Sequence, residues 1–310
     1  IILINVFGEK MNNSNDFIVI KNLKKAYGRK VVLNGITLTV RTGSFFGIFG
    51  KNGAGKSTLF KNILGLICPT EGEILIKSQS ISHNNKTSIG YLPENVSIYE
   101  HMNIEDNLRV AALSAGHELS KTNINEILDK VNLSGSNKTL GKDLSLGMKR
   151  RLQFAMATMT KPIDMLILDE PTNGMDVNGV LWLKKYLLKL KQEKITILVC
   201  SHSLNIMEDL IDEYCIIQNG VITQHDVWKK NGKAKYHITF KKAPTKDERD
   251  MLSQIGEISN INETNIELIS EKKMYEIVKI FISKNIDIVD IEVDNISLED
   301  IFIESVTNYE

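Results

Sequence analysis

Cysteine is scarce: three in 310 residues, Cys68, Cys200 and Cys215, an odd number with no C-x-x-C pair. That pattern fits a reducing cytoplasm, with a buried structural role for each thiol rather than a ligand role. Net charge is missing as well. Thirty-eight Lys plus Arg balance 38 Asp plus Glu, so neither a nucleic-acid-coating protein nor a polyacidic buffer is indicated. No run approaches the roughly 18 unbroken apolar residues of a spanning helix, and the opening Ile1–Phe7 is too short for a signal peptide. If the chain works at a membrane, another polypeptide crosses it. There is no internal repeat, heptad run or low-complexity tract.

What is present is an ordinary globular composition, 42% hydrophobic and 25% charged, at a length that suggests about two domains. Met11 stands just before a charged and polar run, so residues 1–15 are set aside as an N-terminal extension, the first ten read as upstream sequence or a tag remnant. From Lys233 onward ten basic residues face sixteen acidic ones. This shift follows two apolar runs around Asn219-Gly220, a hairpin signal, and places a domain edge near Gly232. Domains are therefore expected at 16–232 and 233–310.

In the first domain, Ser44 to Phe49, Ile89 to Leu92, Met165 to Leu168 and Ile195 to Cys200 read as strands, and Ser57 to Leu66 and Leu181 to Lys191 as helices. Unbroken apolar strands separated by helices predict a buried, largely parallel sheet covered on both faces. Ile104 to Val131 has helical periodicity alone, which predicts a helical insert within about 95–150. In the tail, Lys235 to Phe240, Asn265 to Ile269 and Ile286 to Val293 read as strands, Glu271 to Lys284 and Leu298 to Ser305 as helices. A small α/β appendage is expected there.

Gly50-Lys51-Asn52-Gly53-Ala54-Gly55-Lys56-Ser57-Thr58 matches G-x-x-x-x-G-K-[ST] between a strand and a helix, the context a phosphate-binding P-loop needs. Glycines let backbone N–H groups turn toward a polyphosphate, the helix N-terminus adds partial positive charge, Lys56 reaches the β and γ phosphates, and Ser57 offers a hydroxyl to Mg2+. The apolar strand Met165-Leu-Ile-Leu ends in Asp169-Glu170. Asp169 is placed to hold Mg2+ through water, and Glu170 is the candidate general base for an attacking water.

A third element, Leu144-Ser-Leu-Gly-Met-Lys-Arg-Arg-Leu152, lies about 20 residues before that strand end. With it the sequence resembles the ATP-binding subunits of ABC transporters, whose signature is usually Leu-Ser-Gly-Gly-Gln; Leu146 and Met148 depart from that form. The resemblance implies a P-loop NTPase fold of ABC type that hydrolyses ATP with Mg2+. It implies that Ser145 and the N–H of Gly147, beside Met148, contact ATP bound to an opposite protomer. It also implies that Tyr27 stacks on adenine, that Glu94 stands where most members have a Gln that senses Mg2+, that Asp176 faces the partner protomer, and that His202 touches the γ-phosphate. The partners implied are a membrane-spanning permease docked on the helical insert and a second cassette, as homodimer or heterodimer, at the cytoplasmic face of the membrane, with no nucleic acid. The motifs look most like bacterial exporters for bacitracin resistance and lantibiotic immunity. The competing expectation is an ABC-type ATPase acting as a regulator or assembly scaffold.

Overall fold

The structure, a computed structural model, describes residues 15–80, 87–95, 98–159, 162–201, 204–228, 234–295 and 297–307. The chain divides into two compact units, Ile1–Val227 and Trp228–Glu310.

The first unit begins with a twisted hairpin, β1 (Asp16–Tyr27) and β2 (Lys30–Arg41). β3 (Phe45–Phe49) leads through a glycine-rich loop into α1 (Lys56–Ile63), followed by β4 (Glu71–Ile76), β5 (Gln79–Ser80) and β6 (Ile89–Leu92). Three helices come next, α2 (Ile104–Ser114), α3 (Lys121–Lys130) and α4 (Leu146–Thr158). Then β7 (Met165–Asp169), α5 (Val177–Gln192), β8 (Thr196–Cys200), α6 (Leu204–Met207), β9 (Glu213–Gln218) and β10 (Val221–Val227) complete it.

These strands make two sheets. One has the order β10-β9-β3-β8-β7-β6, parallel except for β10. Every residue of β3, β7 and β8 is buried, which is why these strands read as continuous apolar runs. The other sheet, β2-β1-β4-β5, is antiparallel. One core joins both: Leu59, Phe60 and Ile63 of α1 pack with Ile18, Leu38 and Ile74 of the antiparallel sheet and with Phe46, Ile167 and Leu198 of the parallel one. At roughly 1.5–3 kcal/mol per fully buried large apolar side chain, this core fixes the start of α1 against both sheets.

The helices α2 to α4 have a core of their own, including Ile104, Leu108, Ile124, Leu128, Leu144 and Leu152. Polar side chains set where they begin. Asn103 Oδ1 accepts from the Asp106 N–H at 2.9 Å ahead of α2, and Ser120 and Asn123 cap α3 reciprocally.

The β9–β10 ladder runs on past the apolar Val221-Ile222 to pair Val227 with Glu213. The division between units therefore falls at Val227, ahead of the edge expected near Gly232, which lies outside the described residues. The second unit is β11 (Ala234–Phe240), α7 (Lys246–Ile255), β12 (Glu257–Asn262), β13 (Asn265–Ser270), α8 (Met274–Ser283), β14 (Ile288–Asn295) and α9 (Leu298–Thr307). Its strands form an antiparallel sheet of order β12-β13-β11-β14. That is a ferredoxin-like βαββαβ arrangement with one added helix, and its core includes Tyr236, Ile238, Phe240, Leu252, Leu268 and Phe281. No helix among the described residues is long and apolar enough to cross a membrane.

Candidate active site

The loop between β3 and α1 takes its shape from glycines. Gly53 (φ 81°) and Gly55 (φ 109°) hold left-handed conformations that side chains resist. A Cβ at Gly50 would run into the Ile217 carbonyl oxygen, and one at Gly55 would stand 2.7 Å from Leu33 Cδ2. Ala54 is buried and donates its N–H to the Lys51 carbonyl at 3.1 Å. No side chain caps α1, so its first amides are available to an anion in the cleft. Lys56, 8% exposed, curls back over its own loop, with Nζ donating to the Gly50 carbonyl at 2.6 Å and the Lys51 carbonyl at 3.2 Å.

Asp169 and Glu170 end β7, each 4% exposed. Burial raises the Asp169 carboxyl above its ordinary value, opposed by a hydrogen bond from Ser57 and by the charge of Lys56. Glu170 sits at φ 48°, a left-handed conformation rare outside glycine. Its backbone is held from both sides: the N–H donates to the Cys200 carbonyl at 2.9 Å, and its carbonyl accepts from the Asn173 N–H at 3.2 Å and from Arg150 Nη2. Strain of this kind, of order 1–3 kcal/mol, persists where surroundings over-determine it. Cys200 Sγ lies 4.0 Å from Glu170 Oε1, and burial pushes this thiol far above its ordinary value. It stands there as a neutral neighbour.

A cleft of about 670 Å³ gathers these groups: Asn52, Gly53, Gly55, Lys56, Ser57 and Thr58 line it with Glu94, Asp169 and Glu170. Lys30, Val31, Val32, Asn219 and Gly220 complete its wall. The Asn219-Gly220 pair, a hairpin signal in the sequence, forms the β9–β10 turn. The turn also buttresses the loop, with the Gly220 N–H donating to the Ala54 carbonyl at 3.2 Å and the Gly220 carbonyl accepting from the Asn34 N–H at 2.8 Å.

Tyr27 ends β1 opposite Lys30, half exposed, with the Lys25 ammonium 5.1 Å from its ring centroid. The other expected residues lie on a separate exposed surface at the starts of α4 and α5. Ser145 caps α4, its Oγ accepting from the Met148 N–H at 3.2 Å. Gly147 has no heavy atom within 4 Å of where a Cβ would stand, and the Met148 side chain packs on the helical core. Asp176 caps α5, its Oδ1 accepting from the Gly179 N–H at 2.7 Å. None of these four residues is among those that line the cleft. His202 lies outside the described residues.

The residue that sequence reasoning missed is Arg150. It has no exposed surface, and its guanidinium donates to the carbonyls of Pro93 (2.8 Å), Glu94 (3.0 Å), Asp169 (3.3 Å), Glu170 and Pro171 (3.4 Å) and to Gln153 Oε1 (3.1 Å). The sequence shows only an Arg-Arg pair on a helix, and nothing in that pair says which member is buried.

Comparison with known proteins agrees with this geometry. The family model described as ABC transporter matches residues 33–173. The lantibiotic transport ATP-binding protein SrtF of Streptococcus pyogenes is 37% identical over 203 residues, 66% of this chain and 87% of SrtF. The bacitracin transport ATP-binding protein BcrA of Bacillus licheniformis is 32% identical over 296 residues, 91% of this chain and 94% of BcrA. A solved ATP-binding subunit of an ABC transporter superposes with a TM-score of 0.62 at 28% identity, over 68% of this chain and 90% of its own. The chain belongs to the ABC transporter ATP-binding cassettes, ATPases that work with membrane permease subunits.

Proposed function

We propose that this chain drives export of a peptide, antibiotic or other small molecule through a separate membrane-spanning permease, bound at the cytoplasmic face of the membrane through the helical insert of α2 to α4. The observation that carries the reading is the single cleft that joins the Gly50–Thr58 loop to Asp169, Glu170 and Glu94, in a chain whose relatives are named for lantibiotic and bacitracin transport.

In this reading the loop amides and Lys56 hold the β and γ phosphates of ATP, and Tyr27 stacks on adenine. Ser57 and Asp169 fit Mg2+: both offer oxygen, both line the same cleft beside the phosphate-binding loop, and Mg2+ is commonly held by one or two carboxylates together with substrate phosphates. When bound, the ion neutralises charge on the phosphates. Glu170 accepts the proton of the attacking water, and His202 touches the γ-phosphate. Ser145, Gly147, Met148 and Asp176 belong to the facing surface of a second cassette, identical or related, which closes over the nucleotide. Glu94 reports nucleotide state toward the permease.

The test is to express the chain with and without a candidate multi-spanning permease from the same genome in a sensitive bacterium. Resistance to bacitracin or a lantibiotic that needs both proteins and is lost with Lys56→Ala supports export. Resistance unaffected by Lys56→Ala contradicts it.

A further inference from the structure

Arg150 takes a buried cationic site whose hydrogen-bond partners are five backbone carbonyls and one amide oxygen, with no carboxylate among them. Burying a charge this way is costly, and packing alone does not require it, since an apolar side chain of similar volume would fill the space. What a guanidinium adds is a rigid planar fork that fixes several acceptors at once. Here the acceptors come from two segments: Pro93 and Glu94 after β6, and Asp169, Glu170 and Pro171 at the end of β7 and just beyond it. Two neighbours on α4 strengthen the first tie. Gln153 Nε2 donates to the Asn95 carbonyl at 3.3 Å, and Lys149 Nζ pairs with Glu100 at 2.6 Å.

The same helix begins at Ser145. Arg150 lies five positions beyond that cap, about 7.5 Å along the axis, so one continuous helix links the exposed turn at Ser145–Gly147 to the buried fork. We infer that Arg150 is a positioning residue that couples the two ATP sites of the dimer, transmitting engagement of the partner's nucleotide at Ser145 to Glu94 and Glu170 of its own protomer. This rests on the composite-site reading above. Coupling needs a physical link whose arrangement both sites bias, and α4 supplies one. The left-handed Glu170 backbone is the element that responds, because it is held in a sparsely populated conformation by the carbonyl that Arg150 grips.

The test uses mixed dimers of two differently tagged full-length copies, or of this chain with its cognate cassette, in saturating Mg-ATP. The first copy keeps Glu170 and performs the turnover. The partner's own site is either filled but inert (Glu170→Gln) or empty (Lys56→Ala). With Arg150 in the first copy, filling the partner's site is expected to raise turnover about tenfold, within the usual range of coupling between sites. With Arg150→Gln in the first copy, filling should change turnover less than twofold, and Arg150→Gln in the partner should leave the dependence in place. A merely structural role would lower turnover equally in both occupancy states. Arg150→Lys, which keeps the charge but loses the fork, gives the same comparison if Arg150→Gln does not fold, and it too should lose the dependence. A dependence unchanged in Arg150→Lys or Arg150→Gln, or absent in the parent, overturns the inference while leaving a dimer seen by light scattering as support for the composite site. No dimer in any pairing overturns both.

Discussion

The Leu146 side chain lies where a Cβ on Gly174 would stand. Gly174 has φ 75°, so two costs of a side chain coincide there, left-handed strain and collision with the turn that opens α4. The departure from the common signature at Leu146 is thus matched by a glycine in the Asn173–Asp176 loop. Gly174→Ala should lower stability by about 1–2 kcal/mol, and Leu146→Ala in the same chain should restore part of it. Urea unfolding of the two single variants and the double variant measures this. Strictly additive losses would show that the two residues do not share the space.

Asp169 gives a pH signature. Burial holds its carboxyl above the ordinary value in the folded chain, so the unfolded chain releases this proton first and ionisation of Asp169 opposes folding. The penalty is absent below the ordinary carboxylate value, grows as pH rises toward the folded value, and is constant above it. Nucleotide-free Asp169→Asn is therefore expected to melt above the parent at neutral pH, with the gap narrowing toward pH 4, while Mg-ATP hydrolysis falls. A gap independent of pH would contradict the assignment of burial as the cause.

Glu94 lines the nucleotide cleft, and its carbonyl accepts from Arg150 at 3.0 Å. Its side chain can report on the nucleotide while its backbone belongs to the segment leading to the helical insert. Glu94→Ala should reduce permease-stimulated hydrolysis more than it reduces ATP affinity. Equal losses in both would confine Glu94 to the pocket.

The surface at Ser145 and Gly147 should make dimerisation depend on ATP. In the Glu170→Gln background, saturating Mg-ATP should give a dimer by light scattering, since slow hydrolysis lets the closed form accumulate. Adding Ser145→Arg should return it to monomer. Persistence of the dimer in the double variant would remove Ser145 from the shared pocket.

Sequence pattern made the parallel sheet legible because β3, β7 and β8 are buried on both faces and spell unbroken apolar runs. It did not reveal the β2-β1-β4-β5 sheet. β1 is interrupted at Asn22, which sits at φ 48° beside shifts in register, and those breaks hide its alternation. In the second unit β12 is an edge strand with mostly exposed residues and so has no apolar signature; α7 carries only a short stripe, Met251, Leu252 and Ile255, behind the Thr245–Glu248 capping box, and three apolar residues in a charged stretch are easily passed over. Within the cleft, Lys56, Ser57, Asp169 and Glu170 stood out because their chemistry demands those residue types at that spacing. Lys30, Val32 and Gly220 did not, because they reach the cleft through the β1–β2 and β9–β10 hairpins, far away in the chain. Arg150 was hidden for another reason: its partners are backbone carbonyls, which leave no trace in a sequence.

The most direct measurement is hydrolysis against binding in Glu170→Gln. Removing a general base that acts on the attacking water should slow ATP turnover by about 10²–10⁴-fold, roughly 3–5 kcal/mol of barrier, while the affinity for Mg-ATP stays at the parental value and Lys56→Ala loses binding instead. Turnover within threefold of the parent, in a Glu170→Gln chain that still binds Mg-ATP, would contradict the assignment of Glu170 and with it the catalytic reading of the cleft.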